Sequence, residues 1–352
     1  MKMYEFELGL AAEKLVRDIL NVKDGEVVAI TADTLSSEDV VNATAREVFK
    51  CGGKPLVLWI PTPPGVGKAA DPALPQRALI GMLKGVDIWI EFNHNWLLYS
   101  TVFDEVLQEN KDLRYICLVG MNPEIMVRTI GKVNMVALAE FLEKLGELTS
   151  SAREVRITTP AGTDVEFRNK KGRPIIVHSG RVNKGEYEML PGQISWTPKL
   201  KTIYGKIVFD GSLYPPIGLL RDPVTLIIEK GRIVDIQGKR EAQEFEKWLE
   251  SFEDENMYQL AHISYGFNPG AKLTGNIVED ERVWGATEWG VGNIGPRLVP
   301  DIPGGVPAAS HSDGICLRSS VWLDDTAIMS EGEVVSPQYL VELANKARKL
   351  EM

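Results

Sequence analysis

Two residues in the segment AASHSDGICL, residues 308–317, have the types and spacing of metal ligands. His311 and Asp313 are two positions apart, and in an extended strand residues i and i+2 project from the same face. An imidazole and a carboxylate directed at one point make half of a metal site. The chain contains only four histidines, so few residues could complete such a site.

His262 is the candidate for a third ligand. It lies in YQLAHISYGFNPGAK, where apolar residues precede it and a Gly/Pro/Asn turn follows, a context that would hold the ring at the mouth of a strand. Two imidazoles and one carboxylate leave open positions on a metal, as in non-haem iron(II) enzymes that bind substrate and dioxygen together. Zinc also accepts such a set. We therefore expect one divalent metal ion, with iron(II) favoured and zinc or manganese as alternatives.

The segment ATEWGVGNIG, between the proposed ligands, adds further candidates. Glu288 could be a fourth ligand or a general base, and Gly290 would let the backbone approach a bound group closely. Trp196, Tyr265 and Trp289 lie beside the proposed ligands in the sequence, and aromatic walls suit a planar substrate. We predict substrate-binding roles for these three side chains and for Gly290.

Composition limits the classes of partner. The 352 residues carry a net charge of −10 without a segment dense in Lys or Arg, which argues against a nucleic-acid partner. The N-terminal segment MKMYEFELGLAAEKLVRDIL has no apolar run long enough for a signal sequence or a membrane span. We expect a cytoplasmic homo-oligomer that acts on a small molecule and contacts neither nucleic acid nor membrane.

The pattern of hydrophobic residues predicts two domains. In the first part of the chain the strand-like segments EVVAITAD, KPLVLWI, VDIWIEF and LRYICLVG alternate with helical periods, which indicates a doubly wound α/β domain with a parallel sheet over residues 1–149. Beyond it, strands are joined by Gly-containing turns and helices are few. Residues 150–352 are therefore predicted to form an α+β domain rich in antiparallel sheet that carries the metal site.

The second domain resembles a known superfamily, the metallo-aminopeptidases of the aminopeptidase T (M29) type, and within it the iron-dependent 2,5-dihydroxypyridine 5,6-dioxygenases. The segments that carry the resemblance occur in family order: TPAGTDVEF, LPGQISWTP, VFDG, LIIEKGRIVDIQG, AHISYGFNPGAK, GNIG, SHSDG and VWLDDTAIMSEGEVVSP. Carried over position by position, the resemblance implies metal ligands at His262, His311 and Asp313.

The sequence also departs from both branches of this superfamily. The aminopeptidases have a metal-binding Glu in a Pro-x-Gly-Glu segment where this chain has Gln193, and a ligand His where it has Glu288. A neutral amide is a poor bridge between two divalent ions, so a two-metal peptidase is disfavoured. In the pyridine dioxygenases a serine also binds iron, and Gly290 matches its place. Histidines that assist those enzymes near YEMLPGQ are absent, and Met189 and Leu190 lie there instead.

Three functional classes follow from these observations. The first is a mononuclear iron(II) enzyme that binds a small ring through two adjacent heteroatoms and opens it with dioxygen, with Glu288 and Gln193 beside the metal. The second is a metal-dependent hydrolase, an aminopeptidase or amidase, whose ion lowers the pKa of a bound water and whose base or fourth ligand is Glu288. The third is a catalytically inactive binding protein on the same scaffold.

Overall fold

The structure is a computed structural model that describes residues 4–351. This part of the chain forms two compact units. The first unit comprises residues 4–135, 180–191 and 350–351, and the second comprises residues 136–179 and 192–349. The domain boundary expected between residues 149 and 150 stays a prediction.

Both units contain helices: α1 to α5 lie in the first unit, and α6 to α9 lie in the second apart from the first residue of α6. Short segments of π-helix continue two of the α-helices, at Leu15–Ile19 and Val127–Gly131. The α-helices are α1 (Glu5–Lys14), α2 (Glu38–Lys50), α3 (Gln76–Leu83), α4 (Thr101–Glu109), α5 (Pro123–Met126), α6 (Met135–Ser151), α7 (Arg240–Glu250), α8 (Ile277–Asp280) and α9 (Gln338–Ala347).

Strands form one sheet in the first unit and two in the second. In chain order they are β1 (Val27–Asp33), β2 (Lys54–Ile60), β3 (Ile88–Glu91), β4 (Arg114–Cys117), β5 (Glu154–Thr158), β6 (Asp164–Arg168), β7 (Ile176–His178), β8 (Tyr187–Met189), β9 (Gln193–Trp196), β10 (Tyr204–Phe209), β11 (Ser212–Tyr214), β12 (Gly218–Leu219), β13 (Val224–Glu229), β14 (Arg232–Gly238), β15 (Leu260–Gly266), β16 (Thr287–Ile294), β17 (Val306–Cys316), β18 (Ser320–Leu323), β19 (Thr326–Ser330) and β20 (Glu333–Val334).

The sheet of the first unit is parallel throughout, in the order β2-β1-β3-β4-β8. Strands β3 and β4 are buried at every position, which is typical of a parallel sheet covered on both faces. The prediction of an α/β region with a parallel sheet is confirmed. The fifth strand, β8, comes from a part of the chain far beyond the other four.

A buried carboxyl lies at the end of β3 in this sheet. Glu91 is fully buried and accepts hydrogen bonds from the hydroxyl of Tyr115 and from the backbone N–H of Leu97. Burial raises the pKa of Glu91 to about 7, although the hydrogen bond from Tyr115 and those from the backbone act in the opposite direction. This carboxyl therefore titrates near neutral pH.

The second unit contains two antiparallel sheets. The eight-stranded sheet has the order β14-β13-β10-β6-β5-β18-β19-β20, and the seven-stranded sheet has the order β12-β11-β17-β16-β15-β9-β7. Alternating burial in β5 and β6 shows that one face of the eight-stranded sheet is covered. Phe167 on β6 contacts Trp289 on β16 at a ring-centroid distance of 5.7 Å, so the two sheets share a core. The prediction of a sheet-rich second region is confirmed.

Helix length and hydropathy bear on membrane association. Over residues 4–351, none of the helices is both long enough and apolar enough to cross a bilayer.

Candidate metal centre

Three neighbouring strands carry the predicted ligands. Strand β16 pairs with β15 on one side and with β17 on the other, all antiparallel. His311 and Asp313 on β17 lie opposite Gly292 and Gly290 of β16, on one face of the seven-stranded sheet. Glycines on the central strand leave the space above it free for the side chains of both neighbours.

A β-bulge on β15 brings the third predicted ligand, His262, to the same place on the sheet. Leu260 pairs with Val291 and Ile263 pairs with Trp289, so two residues of β15 lie opposite Gly290 alone. The imidazole of His262 lies directly over Gly290. A Cβ atom at Gly290 would be 2.4 Å from Cε1 and 2.5 Å from Nδ1 of that ring, so any other residue would displace it.

The three side chains converge on one point. Nε2 of His311 lies 2.9 Å from Oδ1 of Asp313, and Nε2 of His262 lies 3.6 Å from the same oxygen. The two imidazole rings stack at a centroid distance of 5.1 Å with an interplanar angle of 11°. One ligand atom from each residue lies within 4.8 Å of the other two, a spacing that a single metal ion could bridge.

The orientation of His311 is fixed by the backbone of β16. Its Nδ1 lies 2.9 Å from the carbonyl oxygen of Asn293. Because a carbonyl can only accept, Nδ1 carries the hydrogen, and Nε2 is the ring nitrogen that faces Asp313 and that could bind an ion between the two side chains. A hydrogen on Nδ1 is what an imidazole that binds metal through Nε2 requires, and no spacing in the sequence indicated the role of Asn293.

Two carboxyl groups of the cluster have opposite pKa shifts. Burial acts to raise the pKa of Asp313, but the imidazoles of His311 and His262 outweigh it and lower the pKa to about 2. Burial raises the pKa of Glu288 well above its usual range, and the charges of Asp313 and Glu281 add to the effect. Asp313 is therefore ionised at neutral pH, whereas the environment of Glu288 favours its protonated form.

Glu288 faces the cluster from β16. Its Oε1 lies 3.1 Å from Nε2 of His262, and its side chain is fully buried. Within the part of the chain that the structure describes, neither of its carboxyl oxygens nor Nδ1 of His262 makes a well-aligned hydrogen bond. Buried polar atoms without partners are uncommon, and a cation beside them would compensate for the lost hydration. The donor set thus fits a divalent metal ion.

The side chain of Gln193 contacts the carboxyl group of Glu281, which is not one of the proposed ligands. Its side-chain amide donates to Oε2 of Glu281 at 3.2 Å, and Arg282 also donates to that oxygen. Burial raises the pKa of Glu281. The charge of Asp313 raises it further, and that of His262 lowers it. No motif or spacing in the sequence indicated Glu281, because only the fold brings the segment after α8 to this place.

The three aromatic side chains predicted to line the substrate site lie elsewhere. Trp196, Tyr265 and Trp289 project from the opposite face of the seven-stranded sheet, because each is one position away from a residue on the ligand face. All three are at most 2% exposed. Trp196 contacts Tyr265 at 4.9 Å, and Phe167 of the other sheet packs against both Trp196 and Trp289. The structure does not bring them to the cluster. Gly290 does lie there, beneath His262.

Comparison with solved structures defines a class of fold that this chain shares. A 2,5-dihydroxypyridine dioxygenase from Pseudomonas putida KT2440 superposes with a TM-score of 0.76 at 20% identity, over 95% of this chain and 98% of that chain. Wild-type AmpT from Thermus thermophilus superposes with a TM-score of 0.71 at 16% identity, over 95% of this chain and all of that chain. At these identities the likeness establishes the fold.

Sequence comparison defines the family. The chain belongs to the 2,5-dihydroxypyridine 5,6-dioxygenase (NicX) family, whose sequence profile matches residues 14–336. It is 25% identical over 346 residues to the 2,5-dihydroxypyridine 5,6-dioxygenase of Pseudomonas putida KT2440, which covers 92% of this chain and 95% of that protein. The resemblance inferred from the second-domain motifs is confirmed, and the homology supports an enzyme of the dioxygenase type.

Proposed function

We propose that this protein is a mononuclear iron(II) dioxygenase that opens a small heteroaromatic ring bearing two adjacent heteroatom donors. The observation that carries the proposal is the convergence of His262, His311 and Asp313 on one face of the seven-stranded sheet, in a chain of the dioxygenase family. Two imidazoles and one carboxylate are the facial set used by non-haem iron(II) oxygenases.

The metal ion would be held by these three side chains. When bound, iron(II) supplies a redox-active centre with open positions for the substrate and dioxygen. Asp313 supplies the negative charge, and the hydrogen bond from His311 to the carbonyl of Asn293 keeps the other ring nitrogen directed inward. The β-bulge at His262 sets the third donor above Gly290.

Glu288 acts as an acid beside the bound substrate in this proposal. Burial raises the pKa of its carboxyl, and the nearby charges of Asp313 and Glu281 add to this shift, so the protonated form is favoured. A protonated carboxyl next to the cluster can donate a hydrogen bond to a ring oxygen and so orient the substrate. Gln193 acts indirectly, because its amide holds the carboxyl of Glu281.

The test combines metal content with turnover. Protein purified without oxygen is analysed for metals, and oxygen consumption is measured with 2,5-dihydroxypyridine as the probe substrate. We expect one iron per chain and one dioxygen consumed per ring opened. Two zinc ions per chain, or absence of oxygen uptake with the iron-loaded protein, would contradict the proposal.

The second candidate is a metal-dependent hydrolase of the aminopeptidase or amidase kind. It is supported by the position of Glu288, whose Oε1 lies 3.1 Å from His262 and could accept a proton from water. The amide at Gln193 weakens a two-ion version, because it replaces a charged ligand with a neutral one. Release of leucine from leucinamide would favour this candidate. A protein that binds no metal would instead point to the third candidate, an inactive binding protein.

Location and assembly are part of the proposal. A cytoplasmic location and a homo-oligomeric state stay predictions from the sequence. Size-exclusion chromatography with light scattering would test the latter.

A further inference from the structure

A cavity of about 590 Å³ lies in the second unit and takes no part in the proposed reaction. Its wall comes from the end of α6 and the two residues after it, the turn after β6 and the end of β9. Trp196, which borders it, projects from the sheet face opposite to the metal ligands. The cavity is therefore separate from the candidate metal centre. Its twelve lining residues are Ser150, Ser151, Ala152, Arg153, Asn169, Lys170, Lys171, Gly172, Arg173, Ile175, Trp196 and Thr197.

The charge of this lining is opposite to that of the whole chain. Four of the twelve lining residues are Lys or Arg and none is Asp or Glu, although the chain has a net charge of −10. Within residues 4–351, Arg153 and Lys171 have no ion-pair partner. Cations gathered around a concave surface without counter-charges create a local positive potential that attracts anions.

The other two cations already bind a carboxylate of this chain. Nε of Arg173 lies 2.7 Å from Oδ1 of Asp301, and Lys170 contacts Oδ2 of the same residue. The Arg173 side chain is only 6% exposed and also donates to the carbonyl of Pro198 at 2.6 Å. These bonds hold the guanidinium group of Arg173 in one orientation, in the same turn that carries Lys171.

The carbonyl groups at the end of α6 do not offset this positive charge. The side-chain amide of Asn169 donates to the carbonyl oxygens of Thr149 and Ala152, at 2.8 and 3.0 Å. Oδ1 of Asn169 in turn accepts from the indole N–H of Trp196. The hydroxyl of Ser151 donates to the carbonyl oxygen of Leu148 at 2.7 Å, so carbonyl groups of the last turn are satisfied within the chain, and Ser150 adds a hydroxyl group at the rim.

We propose that this cavity is a binding site for a small organic anion, a carboxylate or phosphate ester, whose charged group is held by Arg153 and Lys171. Ile175 and Trp196 form the apolar part of the wall and would contact the body of the ligand. Arginine binds both kinds of oxyanion through two parallel hydrogen bonds, and lysine contributes a point charge.

Calorimetric titration of the full-length protein tests this inference. The probes are benzoate and phenyl phosphate, which separate a carboxylate from a phosphate, and benzamide, a neutral analogue of benzoate. The test variant is Arg153→Gln/Lys171→Gln. Its matched control is Arg240→Gln/Lys247→Gln on α7, which removes one Arg and one Lys that also have no ion-pair partner in the described residues. Circular dichroism verifies that all three proteins are folded.

We expect at least one of the two anions to bind, and binding to weaken at least tenfold in the Arg153/Lys171 variant and by less than twofold in the control. Added salt should weaken it as well, since exposed charges are screened. The proposal is overturned if neither anion binds at 10 mM, if the Arg153/Lys171 variant retains every anion site of the wild type, or if benzamide binds as tightly as benzoate.

Discussion

Gly290 of β16 lies directly beneath the imidazole of His262, so close that a Cβ atom there would be 2.4 Å from the ring. We expect Gly290→Ala to displace His262 and to weaken metal binding by about 10- to 100-fold, the usual effect of disturbing a residue that supports a ligand. Titration against a competing chelator measures this. Gly81→Ala on α3 is the control, because, apart from its chain neighbours and the nearby backbone of its own helix, no described atom lies within 4 Å of its Cβ position. Unchanged metal affinity in Gly290→Ala would contradict the proposed role of His262.

Removal of a proposed ligand should abolish metal binding. His262→Ala, His311→Ala and Asp313→Ala each leave two protein donors, too few to compete with water for the ion. Elemental analysis after gel filtration should then find less than about a tenth of the metal in the wild type. His94→Ala, an exposed histidine of the first unit, is the control for metal content. Full metal content in His311→Ala would show that the segment around His311 is a polar turn and not part of a metal site.

Glu288 separates the two leading functional classes. If Glu288 only orients the substrate of a dioxygenase, Glu288→Gln keeps a hydrogen-bond donor in place, and oxygen consumption should stay within about tenfold of the wild type. If it is the base of a hydrolase, the same substitution should reduce turnover by about 10²-fold or more. Metal content, measured in parallel, distinguishes loss of chemistry from loss of the ion.

Peptidase activity should be absent. Gln193 is neutral and its amide is bound to Glu281, so it cannot supply the charge that a second ion would need. We expect no release of leucine from leucinamide with added zinc, cobalt or manganese. Steady release of leucine at catalytic rates would contradict the dioxygenase proposal and support the hydrolase.

The buried carboxyl of Glu91 should make the stability of the protein depend on pH. Its pKa rises from 4.5 in the unfolded chain to about 7 in the folded protein, so the folded state binds more protons between these values. Its stabilising contribution is complete below about pH 4.5, decreases as the pH rises, and is lost above about pH 7. The full shift corresponds to about 3 kcal/mol.

Glu91→Gln tests this pH dependence, because an amide does not titrate. Urea unfolding at pH 5 and pH 8 should show that the wild type loses more stability than Glu91→Gln over this interval. Glu105→Gln, an exposed position on α4, controls for the change in charge. Equal losses in the wild type and in Glu91→Gln would show that Glu91 is not the group responsible.

The two-residue period of a strand predicted the positions of His311 and Asp313, but it was not applied to the aromatic residues. The spacing of His311 and Asp313 sets both side chains on one face of β17, as expected. The same rule sends Trp289 to the face opposite Glu288, so closeness in sequence to a ligand does not bring a side chain to the ligand face. The bulge at His262 and the contact between Gln193 and Glu281 depend on pairing between distant strands. Hydrophobic periodicity does not encode such pairing.

The alternation of apolar runs was sufficient to predict the parallel sheet, but not its fifth strand. Strand β8 has only three residues, Tyr187–Met189, and lies between strands of the antiparallel region in the chain. Its pairing with β4 is decided by tertiary contacts, which override the local pattern.

The origin of β8 also restricts how genes of this family could exchange parts. A crossover that takes codons 1–149 from one parent and the remainder from another would pair β4 of the first parent with β8 of the second. Such a chimaera must preserve an inherited match between Tyr115–Cys117 and Tyr187–Met189, or its parallel sheet would gain an unprotected edge. Recombination that keeps the first unit intact would have to move codons 180–191 together with the codons of the N-terminal segment.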